Sequence, residues 1–175
     1  MGIQEGTHKI GPDNGTLTIK TGREGAAAKA GHDLTLEATS WDGTVDVGDS
    51  PSVQLNVDPS GIEVREGKGG AKALDDGDKQ DIKKSMSDKI LGSSKISFES
   101  SEADLDSGNV KGDLSVAGQS KPISIPLNVG DDGTVSGSVT LSQSDYGIKQ
   151  FKALMGALKV ADTVEVQIEA KLPTG

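Results

Sequence analysis

The chain has 175 residues, 33% of them hydrophobic, and its 18 Lys and Arg against 27 Asp and Glu leave a net charge of −9. Such a surface repels phosphate backbones and anionic headgroups, which argues against nucleic-acid or polybasic membrane partners. The absence of cysteine excludes disulfides and thiolate metal sites, and Trp41, Phe98, Tyr146 and Phe151 as the whole aromatic set count against base- or sugar-stacking surfaces.

The length suits one domain with a real core, spanning 1–175 with a flexible arm at 1–7. No apolar stretch near the start resembles a signal peptide, and no run approaches the roughly 20 residues of a membrane-spanning helix. The expected compartment is the cytoplasm. Asn14-Gly15-Thr16 matches a glycosylation sequon but reads as turn chemistry.

From Thr16 to Thr21, Leu17 and Ile19 alternate with polar residues, the mark of a half-buried strand. The alanines of 26–30 favour a helical turn that flanking glycines break. Alternation returns from His32 to Val47, and Asp42-Gly43 is either a hairpin turn or, preferred, a bulge bending one long strand. Residues 52–57 form the next strand; Asp58-Pro59-Ser60-Gly61 breaks it before a short continuation through Ile62 and Val64.

After the glycines of 67–70, Asp75 is a plausible N-cap for a helix over about 75–91, with Ile82, Met86 and Ile90 recurring every four residues. Gly92 is its natural C-cap. Ile96 and Phe98 open another strand. In 109–129 two alternating runs, Leu114 and Val116 and then Ile123, Ile125, Leu127 and Val129, flank a short turn and make an antiparallel hairpin. Strands at 134–143 and 163–172 follow, separated by a second short helix over about 147–158. The fold class is all-β: eight antiparallel strands, in a sandwich or a closed barrel, with helical insertions. A barrel of eight strands is just filled by side chains or holds one small ligand.

Pro122 begins one strand and Pro126 lies within it, so two ladder donors are missing. That strand should run beside a bulge or an incompletely paired neighbour. If the barrel opens, this seam is the place.

Chemistry-bearing groups are few. His32 and Asp33 are consecutive in a strand and point to opposite faces, so they form no dyad with each other. His32 reads first as a hydrogen-bonded rim histidine, then as a ligand contact, and last as a catalyst. The acids Asp75, Asp76, Asp78 and Asp81 miss the calcium-loop spacing and suit a helix N-terminus. Lys79, Lys83, Lys84 and Lys89 read as that helix's solvated face. Residues 67–70 lack the spacing of a phosphate loop, and no nucleophile elbow is present. No cofactor or metal is expected. Tyr146, Phe151 and Met155 read as core or lid packing, with ligand contact as the alternative.

The ordered set of motifs over residues 8–172 resembles the YceI-like family, lipocalin-like barrels of polyisoprenoid-binding type. VKGDLSVAGQSKPISIPLNV is similar to that family's hairpin, AGHDLTLEATSWDGTVDV and KISFES to neighbouring strands, and LSQSDYGI to a segment in which arginine stands where this chain has Gln143. The resemblance implies an eight-stranded lipocalin-like barrel with a long apolar chain in its lumen. Members that bind isoprenoids are typically exported. This chain looks closer to a signal-less subgroup carrying the insertion VREGKGGAKALDDGDKQDIKKSM.

The expected function is non-enzymatic carriage or sequestration of an isoprenoid or fatty-amide-like lipid. The lumen contacts would be Leu34, Leu36, Leu55, Phe98, Leu114, Val116, Ile123, Ile125, Val139, Leu141, Val164 and Val166, joined by Tyr146, Phe151 and His32. The alternative is a structural or protein-interaction domain with a filled core. The partners are an apolar small molecule and, as an open question, a second copy of the chain.

Overall fold

A computed structural model describes residues 2–70, 73–86, 95–153 and 158–175. The strands are β1 (Gly6–Ile10), β2 (Gly15–Glu24), β3 (Asp33–Ala38), β4 (Trp41–Val47), β5 (Ser52–Val57), β6 (Ile62–Lys68), β7 (Ile96–Asp104), β8 (Asn109–Val116), β9 (Gln119–Val129), β10 (Thr134–Ser142), β11 (Lys152–Ala153) and β12 (Leu158–Lys171). Among the described residues one α-helix, α1 (Asp76–Met86), lies between β6 and β7. Every pairing is antiparallel, along the path β1-β4-β5-β7-β8-β9-β10-β12-β2-β3-β6, with β11 off the path against β12.

Eleven strands on this path, against eight expected, follow from how the chain bends. Residues 33–47 are one run interrupted at Thr39 and Ser40, giving β3 and β4; residues 52–68 are a second run interrupted at 58–61, giving β5 and β6. The two runs pair on both sides of the bend, β4 with β5 and β3 with β6. Across it, Thr39 N–H donates to Gly61 O at 2.8 Å and Asp58 N–H to Ser40 O at 2.9 Å. The two ends of the path are therefore joined through the same chain, and the curled sheet closes on itself as eight staves. β1 is added along the edge of β4.

Four expectations need correction. The bend lies at Thr39–Ser40 and not at Asp42-Gly43, which pair in unbroken register with Asn56 and Leu55. The backbone breaks where Ala38 ends one inward-facing series and Trp41, buried like Val45, begins the next with opposite parity. The loose arm expected at 1–7 is tied down: Ile3 bridges Thr174, Gln4 N–H donates to Pro173 O at 2.9 Å, and Gly6 and Thr7 pair with Val47 and Asp46. The short helix expected over 147–158 is absent where the chain is described. A 3-10 turn occupies Gln143–Tyr146 and ends at Gly147, after which Lys152 and Ala153 pair with Lys159 and Leu158. Helical spacing of rings lost there to pairing with a neighbouring strand. Finally, GKGG at 67–70 is not all loop, since Gly67 and Lys68 finish β6 against Leu34 and Asp33.

The helix expected at 75–91 is seen over Asp76–Met86 as α1; its remainder, with Lys89, Ile90 and Gly92, lies outside the described residues, as does Met155. Its start is capped reciprocally, Asp78 N–H donating to Asp75 Oδ1 at 2.8 Å and Asp75 N–H to Asp78 Oδ2 at 3.2 Å, with the second acid in the glutamate's usual place. Asn14 behaves as turn chemistry: its side chain accepts from Gly11 N–H and donates to Lys9 O and Lys171 O.

Buried residues gather toward one end. Ile3, Ile10, Leu17, Ala38, Trp41, Ala170 and Leu172 belong to a single cluster near the joined termini. A smaller cluster of Val116, Tyr146 and Ile148 lies near the other end. Between them the barrel is hollow.

Candidate functional site: the barrel lumen

Alternation in the staves turns one apolar row of each strand inward. β3 contributes Leu34 and Leu36, β5 Leu55, β7 Phe98, β8 Leu114 and Val116, β9 Ile123 and Ile125, β10 Val139 and Leu141, and β12 Val164 and Val166. Together they line a cavity of about 500 Å³. Tyr146, Phe151 and His32 reach the same wall. All fifteen residues singled out in the sequence thus face one space.

Several wall residues escaped the sequence reading. Leu17 and Ile19 of β2 line the cavity, and their alternation carried the same signal as that of Leu34 and Leu36. Ile82 and Met86 of α1 line it too, placing one face of the helix against the lumen. Four-residue spacing predicted that face but could not say what it would meet. Lys83 Nζ pairs with Glu63 of β6 on the flank of this contact.

Many inward side chains are only half-buried, among them Leu34, Ile125, Val139, Leu141, Val164 and Val166. In a filled barrel such residues would touch one another across the axis and be inaccessible. Here the space before them is empty. Phe98, in contrast, is only 3% exposed.

Polar groups are confined to one rim. It is the end at which β2, β8 and β10 finish and β3, β7, β9 and β12 begin. Arg23, His32, Ser97, Gln143 and Lys159 enter the lining there, joined by Asp81 and Ser85 of α1. Arg23 is held by Asp33 at 3.4 Å and donates to Gly31 O, so its charge is already compensated. Gln143 donates to Ala161 O at 3.0 Å, within an irregular part of β12 where the register shifts between Val160 and Val164. Ser144 anchors the same bulge through both oxygens of Asp162, at 2.9 and 2.7 Å. Burial, and secondarily the Asp145 carboxylate, pushes the Tyr146 phenol above its ordinary pKa, which keeps it neutral. Among the described residues, no group of three His, Asp or Glu is placed to hold a metal ion, and no helix is long and apolar enough to cross a membrane.

Among the described residues β6 pairs with β3 alone, beside α1, and the wall is interrupted a second time at β9. β9 pairs with β8 along Gln119–Pro126, but with β10 only through Leu127, Asn128 and Val129, opposite Gly137, Ser136 and Val135. Above that point the facing edges, Lys121 to Ser124 and Val139 to Ser142, border a cleft that also reaches Asp145 and Tyr146. The incompletely paired neighbour expected beside Pro122 and Pro126 is β10.

This geometry has known counterparts. The crystal structure of BcnA from Burkholderia cenocepacia superposes with a TM-score of 0.63 at 14% identity, over 89% of this chain and 94% of that one. A polyisoprenoid binding domain from Saccharophagus degradans, implicated in plant cell wall breakdown, matches at 0.61 and 12% identity, over 97% and 100% of the two chains. The YceI protein of Campylobacter jejuni matches at 0.54 and 13% identity, over 80% and 84%. At such identities the likeness is one of fold. No curated protein sequence is matched. The profile of the YceI-like domain matches residues 10–172, and the chain belongs to the YceI-like family.

Proposed function

We propose that this protein binds a long apolar ligand, an isoprenoid or a fatty-amide-like lipid, in its lumen, and that it carries or sequesters that ligand without transforming it. The single observation that carries this reading is the 500 Å³ cavity walled by inward apolar rows, with polar side chains only at one rim. Its volume falls in the range of about 300–1,000 Å³ common to small-molecule sites. Each buried methylene contributes about 0.8 kcal/mol without any charge pairing, so a chain-like ligand gains affinity in proportion to its length. The neighbour from Saccharophagus degradans is a polyisoprenoid binding domain, which supports the same ligand class here. The hollow interior weighs against a filled-core interaction domain, and the reading does not require a second copy of the chain.

Organic extraction and native mass spectrometry of the purified protein test it, together with titration by all-trans-retinol, a fluorescent isoprenoid alcohol. A co-purifying apolar molecule or saturable, stoichiometric retinol fluorescence is the expected result. An empty protein that also leaves retinol fluorescence unchanged overturns the proposal.

A further inference from the structure

The unzipped edge between β9 and β10 has a cause in the backbone. Leu127 N–H donates to Gly108 O at 2.7 Å, away from β10, and Gly130 N–H donates to Thr134 O at 2.8 Å, toward it. In an antiparallel strand these directions alternate. The amide positions of Pro126, Ser124 and Pro122 therefore face β10, opposite the positions of Ser138, Thr140 and Ser142 if the register of the last three rungs were continued. Two of those three positions are prolines without an N–H, so the next rung up and the third would each lose one of their two bonds. The ladder stops at Gly137, where β9 comes so close that a Cβ would stand 2.6 Å from Leu127 Cδ2 and 3.1 Å from Pro126 O.

The consequence is a slit running from the polar rim down to the rung of Gly137 and Leu127. It spans residues 138–142 of β10, about 17 Å at 3.3–3.4 Å per residue. Ile123, Val139, Leu141 and Tyr146 border both the cleft outside and the lumen inside, so the two spaces share these side chains as their common wall. Ser124, Ser138 and Thr140 are exposed, so unpaired backbone groups there are hydrated at little cost. The rim is obstructed in comparison: Ile82 and Met86 of α1 lie against the lumen, and Lys83 ties the helix to Glu63.

We infer that the slit between β9 and β10 is the lateral port through which the apolar chain enters and leaves the lumen, side-on and without displacement of α1. The inference rests on the ligand-binding reading above. A side-on path keeps an extended chain in contact with Ile123, Val139 and Leu141 throughout. An end-on path would draw it past Arg23, His32 and Lys159.

The chain has no cysteine, so a disulfide staple across the slit is specific. In Ser124→Cys/Thr140→Cys, oxidation should slow both uptake and release of retinol at least tenfold in stopped-flow fluorescence, and dithiothreitol should restore the rates. The control staple Glu99→Cys/Asp113→Cys, which bridges an existing rung, should leave them unchanged. Pro122→Thr/Pro126→Thr restores both donors without a staple. It should also slow exchange and raise hydrogen-exchange protection at Ser138–Ser142. Retinol exchange at unaltered rates in the oxidised staple or in the zipped double-threonine variant overturns the port. If the unmodified protein does not bind retinol at all, the binding reading itself fails, and that outcome is visible before any staple is closed.

Discussion

Phe98 lies against the backbone of Gly112 on the neighbouring strand, where a Cβ would stand 2.8 Å from Phe98 Cζ and 2.2 Å from the carbonyl oxygen of Glu99. The missing side chain of Gly112 is what lets this lumen-lining ring pack closely against β8 at 3% exposure. Gly112→Ala should push β7 and β8 apart or drive the ring inward, at about 1–3 kcal/mol. Urea melts should show a lower midpoint at constant slope. An unchanged midpoint would mean that the wall yields more easily than close packing allows.

Val164 faces the cavity half-buried, with empty space before it. Val164→Trp should fill that space and not strain the wall. Thermal unfolding should change little, while retinol affinity should fall at least tenfold, or about 1.4 kcal/mol. Loss of folding would mean that the cavity is narrower than its volume indicates.

α1 is held by two kinds of contact of unequal value. The Lys83–Glu63 pair leaves side chains 34% and 38% exposed, and exposed pairs of this kind contribute about 0.2–1 kcal/mol and weaken in salt. Ile82 packs against the main apolar cluster. Ile82→Ala should therefore lower hydrogen-exchange protection across α1 more than Lys83→Ala does. Only the Lys83→Ala difference should shrink in high salt.

Asp132 accepts from Thr134 N–H at 3.0 Å, from the Thr134 hydroxyl at 3.1 Å and from Lys171 Nζ at 3.1 Å. The backbone N–H of Thr134 first, and then Lys171, hold its carboxyl down at about 2, against an ordinary 3.8. A depressed carboxyl stabilises the fold above its unfolded pKa. That contribution is lost as pH falls from 3.8 toward 2. Carboxyl-carbon NMR should show the low midpoint, and Asp132→Asn should flatten the acid limb of stability in that window. A midpoint near 3.8 would show that the turn at 130–134 is not held in this way.

Much of the site was legible beforehand because a strand's period of two is enforced locally. Leu114, Val116, Ile123 and Ile125 face inward for the same reason that Pro122, Ser124 and Pro126 face out, and a one-residue slip would invert both sets. The prolines announced an unzipped edge because a missing N–H is a covalent fact. The helix expected over 147–158 was a misreading at Lys152 and Ala153, because apolar spacing there suits a helix as well as a wall, and pairing with β12 decided between them. β1 was invisible in GTHKI because its stability comes from the free edge of β4.

Local chemistry thus determined the alternation, the all-β class, the cap at Asp75 and the weak seam at Pro122 and Pro126. Tertiary structure alone decided that two bent runs close ten strands into eight staves with β1 added at an edge, that α1 lies against the lumen, and that the interior is hollow. Those outcomes depend on distances between residues far apart in the chain. A pattern of apolar positions says which way a side chain points, and only the assembled wall says whether anything stands opposite it.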